Sequence, residues 1–475
     1  MLGGNKKEDS FVETIVAELI EIIKGAKDSI EREEKTRHYF EQLQCKAVGE
    51  AWERIDEELA KQYAGEGWKT ERRDERTIQA SYGTVTFKRR LMKKGGEKSI
   101  YPLDHALGIR PYQRYTAYLT YIVAQIGAKS VYRTTAAAIN ALTPATMSHQ
   151  QVARIIRDAG QQCKEWEEAQ REQLPGKGGE LKKPEHLYIE GDGLILHRQG
   201  KNGKKTNELH RYQIAEGVEQ SGKRRKLVGT HYVSGFSAKE AKEALEEYLA
   251  NHYDLRDTIV LSNSDGGAGY GKEAFDEIIG KVKRHEHFRD RYHVNQKLKE
   301  RLAGSNPKLA KELREAVWAH DREKMEACMD TLESMAGSAQ EKENISRLRG
   351  YLERNWGYLS TPEQRGLEGC SMCIGTCESN HRLYSYRMKK QGRAWGDEGG
   401  AAMARILTEI KNGDLRKALS AKKEFSCKPS RNFKGAVRAA LKKVKHAVHE
   451  GVRHGKIIVD APSSSAIGRL ARMIA

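Results

Sequence analysis

From His186 to about Asp290 the apolar residues abandon helical spacing for strand spacing, and this run constrains the fold more than any other part of the chain. Strands are expected near 186–198, 209–217 and 226–235, a helix at 238–252, a strand at 258–263, a helix near 271–280 and a strand near 284–290. Three consecutive strands followed by strand–helix alternation make a mixed sheet with helices packed on it.

Three acids are placed by this pattern. Asp192 falls inside the strand-like run HLYIEGDGLILHRQ, Asp265 follows the apolar run TIVLSNSD, and Glu378 opens the helix-like run ESNHRLYSYRMKK. Asp265 precedes the glycine-rich GGAGYG, where backbone and substrate can approach closely. If the two strands are neighbours, Asp192 and Asp265 can share a metal, with Glu378 closing the site from the first turn of its helix. Carboxylates suit Mg²⁺ or Mn²⁺, which prefer hard oxygen ligands, and two such ions would serve phosphoryl transfer. Each acid also has a plainer reading: a β-bulge aspartate between Gly191 and Gly193, a turn aspartate before Gly266, and an acid complementing a helix dipole. Glu190 shares a strand face with Asp192 and competes for its role. The strand order matches an RNase H-like fold.

Lys and Arg outnumber Asp and Glu by 84 to 66, a net charge of +18 that favours a polyanion, because neutralising phosphates releases counterions. From Lys411 to Ala475, sixteen Lys or Arg face four Asp or Glu, and AVRAALKKVKHAVHEGV keeps apolar residues at helical spacing. A folded basic helix is expected there, with a solvated tail as the alternative. Seven scattered cysteines and the lack of a secretory or membrane-spanning run point to a soluble, cytoplasmic protein without a disulfide framework, and its expected association with the nucleoid rests on the nucleic-acid partner that the charge favours.

The flanking segments divide the chain further. Residues 1–75 carry amphipathic helices between 11 and 64, as core or as an oligomerisation arm. Residues 76–105 alternate about Gly83 and predict a β-hairpin with a basic second arm, tracking phosphates or merely protecting a sheet edge. Residues 106–174 predict helices, the last two joined by the turn PATM with Ser148 as N-cap. This is a helix-turn-helix shape, also common in plain bundles, in which Gln150, Gln151, Arg154 and Arg157 are the candidate DNA contacts. Residues 180–294 form the first part of the sheet domain, 295–365 a helical insertion, 366–412 its second part, and 413–475 the basic end.

The blocks RTIQASYGTVTFKRR, SVYRTTAAAINALTPATMSHQQVARI, HLYIEGDG, VLSNSDGGAGY, FRDRYHVNQKL and CESNHRLYSYRMKKQGRAWGDEGGAAMARI together resemble the ISLre-type bacterial insertion-sequence transposases, a branch of the RNase H-like DDE recombinases. The resemblance runs from about residue 76 to 412. It implies an α/β RNase H-like catalytic domain with a large all-helical insertion, preceded by helical and helix-turn-helix DNA-binding domains. It puts the catalytic, metal-binding acids on Asp192, Asp265 and Glu378, and a Cys/Asp-x-x-His signature on Asp290, an expected DNA contact, and His293, counted with the catalytic residues. Such a histidine would steady a DNA strand or orient a ligand; its plainer role is at a strand-to-helix junction. Trp395 falls where related enzymes stack an aromatic on a base, although a core tryptophan is the rival. Arg387, Lys389 and Lys390 behind the Glu helix are further expected DNA contacts. Cys370, Cys373, Cys377 and His381 have near-ligand spacing for zinc, but within one short stretch and not two knuckles.

The expected activity is therefore a DDE transposase that binds terminal inverted repeats and target DNA and cuts and joins strands, as a homodimer or higher homo-oligomer. The rivals are a non-catalytic or domesticated DNA-binding regulator and a structure-specific nuclease of the same fold.

Overall fold

The computed structural model describes residues 5–172, 180–199, 205–222, 224–267, 269–370, 373–390 and 392–420, excluding the side chains of 5–12, 221, 224–225 and 378–381. The basic helix expected after residue 420 lies outside the described residues, as does Cys427. Two compact units part between Ala159 and Gly160. No helix among the described residues is long and apolar enough to cross a membrane.

The first unit opens with helices α1 (Asn5–Lys24) and α2 (Ser29–Gly65). Asp28 caps α2, its carboxylate accepting the Ile30 and Glu31 amides at 2.8 Å. Strands β1 (Lys69–Ala80) and β2 (Gly83–Lys93) form the hairpin. Ile78, Val85 and Phe87 of the hairpin share one core with Cys45, Val48 and Trp52 of α2. An expected boundary at residue 75 therefore cuts through β1, and the hairpin belongs with the helix. Its basic arm is partly consumed internally. Arg89 pairs with Asp104 of α3 (Pro102–Ala106), as does Arg76 of β1, and Arg90 pairs with the buried Asp56, while Lys88 and Lys93 stay exposed.

Helices α4 (Ala117–Gly127), α5 (Tyr132–Leu142) and α6 (His149–Arg171) follow. The α5–α6 turn is locked by Asn140, whose Oδ1 accepts Met147 N at 2.9 Å while Nδ2 donates to Met147 O at 3.1 Å. Ser148 and Gln151 form a reciprocal capping box at 3.3 and 2.7 Å. The division between units falls inside α6, upstream of the boundary expected at 174.

The second unit is built on β3 (His186–Arg198), β4 (Thr206–Ala215), β5 (Gly217–Ser221), β6 (Arg224–Val228) and β7 (His231–Gly235). Next come α7 (Ala238–His252), β8 (Ile259–Ser264), α8 (Lys272–Ile279) and β9 (Arg284–Arg289). The main sheet runs β7-β4-β3-β8-β9, with β3, β4 and β7 antiparallel and β3, β8 and β9 parallel. The single strand expected at 226–235 is two: β6 pairs with β5 in a side hairpin, and only β7 joins the main sheet. The break is at Gly229, whose φ of +59° and closeness to Glu216 exclude a side chain.

One sheet face packs Leu187, Ile189, Ile214 and Val260 against Leu245 of α7 and Phe275 of α8. The other packs Tyr188, Leu261 and Phe288 against Leu367, Cys370 and Cys373. Period-two alternation along β3 thus feeds two cores. Helices α9 (Arg291–Arg301), α10 (Pro307–Ala319), α11 (Arg322–Met335) and α12 (Ala339–Asn355) make the insertion, with a core of Leu313, Val317, Met329, Ile345, Leu348 and Leu352. Helix α13 (Cys377–Tyr384) runs into a π-helical turn at Ser385–Lys389, followed by β10 (Ala394–Trp395) beside β3, α14 (Asp397–Asn412) and α15 (Leu415–Ser420).

Candidate active site

The β3–β8 register pairs Gly191 with Ser264, so Asp192 and Asp265 are the next residues on neighbouring parallel chains. Adjacent strands lie about 4.8 Å apart, which brings both aspartates to one edge. A narrow cleft there is lined by Asp192, Asn263, Asp265, Asp290, His293 and Cys377. Asp192 is half-buried, and Asp265 is held in a turn by the Gly267 amide, 2.7 Å from its Oδ1. At Gly266, φ is +84° and an added Cβ would stand 2.8 Å from the Arg289 guanidinium. The loop then folds Tyr270 over the strand, where a Cβ on Gly191 would meet the ring at 2.8 Å. Glycines at these two points let the chain close around the acids.

Glu378 is the second residue of α13, directly after the cleft-lining Cys377; its side chain is outside the described ones. Among the described residues no three His, Cys, Asp or Glu side chains gather closely enough to hold a metal ion. The chemistry of the donors nevertheless suits a hard cation, since Asp192, Asp265, Asn263 and Ser264 offer oxygen at the cleft or beside it.

Asp290 and His293 sit together as their spacing suggests, but Asp290 is a buried helix cap and not a surface DNA contact. Its Oδ1 accepts the Tyr292 and His293 amides at 2.9 and 3.2 Å at the start of α9, which turns His293 toward the cleft. Glu190 is not a rival ligand facing the cleft. It is 1% exposed, and its carboxylate accepts the amides of Gly375, Thr376 and Cys377 and the Asn263 side chain. Burial pushes its carboxyl above the usual range, opposed by the Thr376 and Asn263 hydrogen bonds. Asn263 and Thr376 escaped sequence reasoning. The only hint was the period-two face shared by Glu190 and Asp192.

Cys370 and Cys373 pack against Tyr188 in the apolar cluster, whereas Cys377 lines the cleft. Burial, reinforced by Glu190, raises the Cys377 thiol well above its ordinary value.

Of the expected DNA contacts, Gln150, Arg154 and Arg157 are exposed at successive turns of α6, and Lys389 and Lys390 are exposed behind α13. Three others are otherwise engaged. Gln151 is committed to the capping box. Arg387 is 3% exposed and lies 4.9 Å from the Trp395 ring centroid, because the π-helical turn folds it inward. Trp395 is half-buried and its Nε1 donates to Met388 O at 2.9 Å, anchoring the segment after α13.

Residues 27–424 match the model of a family described as an uncharacterised protein family, UPF0236. A relative described as a UPF0236 protein in vanSb 3'region, from Streptococcus gallolyticus, is 33% identical over 462 residues, covering 97% of this chain and all of the relative.

Proposed function

The chain belongs to the UPF0236 family, and from that premise we propose that it is a metal-dependent DNA transposase of the DDE type, built on an RNase H-like sheet. The observation that carries this reading is the register that sets Asp192 beside Asp265, with the helix bearing Glu378 starting at the same cleft. The strand order supports it: three antiparallel strands, then two parallel ones added on the far side of the first, with a helical insertion before the third acid.

Asp192, Asp265 and Glu378 would hold two Mg²⁺ or Mn²⁺ ions, which when bound supply Lewis acidity for the attacking and leaving oxygens of a phosphodiester. The chain's own groups bind and orient the DNA. Gln150, Arg154 and Arg157 project from one face of α6 and are offered to a duplex, reading end sequences. Lys389 and Lys390 offer cations to the strand near the cleft, and His293 offers a hydrogen bond at its margin. Two element ends must meet, so the active form is a dimer or larger homo-oligomer working in the cytoplasm on chromosomal DNA. Clustered carboxylates near DNA repel phosphates unless a cation intervenes, which favours catalysis over a purely regulatory role.

The test is incubation with supercoiled DNA carrying the element ends, with Mg²⁺ or Mn²⁺, comparing wild type with Asp192→Asn, Asp265→Asn and Glu378→Gln. Each substitution is expected to abolish cleavage and joining. Cleavage surviving all three defeats the assignment, and cleavage without joining identifies a nuclease.

A further inference from the structure

Behind Asn263 and Asp290 of the cleft lining lies a buried carboxyl group that does not line the cleft itself. Glu190 stands two residues before Asp192 on the same side of β3 and is 1% exposed. Its Oε1 takes Thr376 N at 3.1 Å and Thr376 Oγ1 at 2.5 Å. Its Oε2 takes Gly375 N at 3.0 Å, Cys377 N at 3.3 Å and Asn263 Nδ2 at 3.0 Å. Three consecutive amides at the start of α13 thus converge on one carboxyl group. Two of them, from Thr376 at the cap position and Cys377 as first helical residue, are donors that a helix N-terminus leaves without intrahelical partners. Thr376 Oγ1 is tied in turn to Gln213 Nε2 at 2.8 Å.

The same Asn263 Nδ2 also reaches Asp290 Oδ2 at 3.3 Å, and the other oxygen of Asp290 caps α9. One side chain at the end of β8 therefore joins the anchor of the Glu378 helix to the anchor of the His293 helix. We propose that Glu190 is a positioning residue which, through Asn263 and Asp290, fixes α13 and α9 relative to Asp192 and Asp265 so that the site is assembled before any cation or DNA arrives. Its relevance to catalysis and to metal affinity rests on the transposase reading; its effect on helix order does not.

The geometry makes the substitutions specific. Four of the five partners of Glu190 are N–H groups that only oxygen accepts. Glu190→Gln keeps one oxygen and turns an amide toward at least one of those donors. Thr376→Val deletes the hydroxyl while keeping the shape, and Thr376→Ser retains it.

Two measurements on the full chain test the proposal: amide hydrogen exchange of Gly375, Thr376 and Cys377 without metal, and calorimetric titration with Mn²⁺ alone. In Glu190→Gln and Thr376→Val, exchange at these amides is expected to quicken and Mn²⁺ affinity to fall, each by about tenfold, the scale of losses when a ligand's supporting hydrogen bonds are removed. Thr376→Ser should stay near wild type in both. Unchanged exchange overturns the anchor. Faster exchange with unchanged Mn²⁺ affinity overturns the positioning role and leaves a merely structural one. Failure of the catalytic reading would appear separately, as DNA cleavage surviving Asp192→Asn, Asp265→Asn and Glu378→Gln.

Discussion

Arg211 of β4 stands directly opposite Asp192 of β3, and its guanidinium lies 4.0 Å from the centroid of the Tyr384 ring on α13. The arginine is 2% exposed, and the Cys377 thiol feels it together with Glu190, Asp192 and Asp290. It is thus a buried cation stacked on an aromatic ring, with its Nη1 buried and lacking a hydrogen-bond partner among the described residues. Replacing it with methionine should remove the cation–π contact with Tyr384 and cost about 1–2 kcal/mol of stability, the scale for a desolvated contact of that kind. Arg211→Lys keeps the charge but loses the planar face on Tyr384, so its loss should be smaller. Urea unfolding of both variants checks this, and a methionine variant as stable as wild type would refute it.

Helices α6 and α14 cross where Gly160 meets Ala402. A Cβ at Gly160 would stand 2.4 Å from both the Cα and the Cβ of Ala402, closer than two carbons can pack. Gly160→Ala should force the helices apart and cost about 1–3 kcal/mol, the range for overpacking a filled core. Denaturant midpoints measure it. Unchanged stability would mean that the crossing is looser than the backbone indicates.

The sheet, the insertion and the placement of Asp192 and Asp265 were legible because strand runs and helical periodicity are local patterns, with Asp192 inside one strand and Asp265 just past the end of another. Glu378 was legible as a helix-opening acid for the same reason. Asn263 and Thr376 were not, since their partners lie 73 and 186 residues away from Glu190 or the reverse, and no periodicity encodes such a pairing. Arg387 looked like one more surface cation in a basic run; the π-helical turn that buries it under Trp395 follows from packing and not from propensity. The split of 226–235 into two strands hung on Gly229, which the apolar pattern passes over.

On α6, neighbouring residues should separate cleanly in their effects. Arg154 and Arg157 are exposed, so Arg154→Ala and Arg157→Ala should leave stability within about 0.5 kcal/mol of wild type. Each should weaken DNA binding and reduce the salt-dependence slope by about 1 if it contacts a phosphate. Gln151→Ala should instead cost about 1 kcal/mol of stability by opening the capping box with Ser148. Binding titrations at several salt concentrations, with thermal unfolding of the same proteins, distinguish the two. Full DNA affinity and an unchanged slope in both arginine variants would remove α6 from the DNA interface.

Glu409 of α14 gives a pH dependence with a definite sign. It is 3% exposed, and burial, followed by Glu167 and Asp414, pushes its carboxyl from 4.5 to about 9, against weaker help from Arg171 and Lys417. Glu167 on α6 is itself raised by burial, with Arg171 and Arg405 opposing. An acid whose folded value exceeds its unfolded value binds a proton more tightly when folded. Its protonation therefore favours the fold fully below about pH 4.5, and that advantage is lost as pH rises toward about 9. Glu409→Gln mimics the protonated form and does not titrate. It should match wild type near the lower limit and grow more stable than wild type as pH rises, by at most about 1.4 kcal/mol per pH unit. Urea midpoints of the two proteins at about pH 5, 7 and 8 provide the measurement, because both pH values above the first lie within the titration window. A stability difference that stays constant across that range would show that Glu409 is ionised in the folded protein at neutral pH.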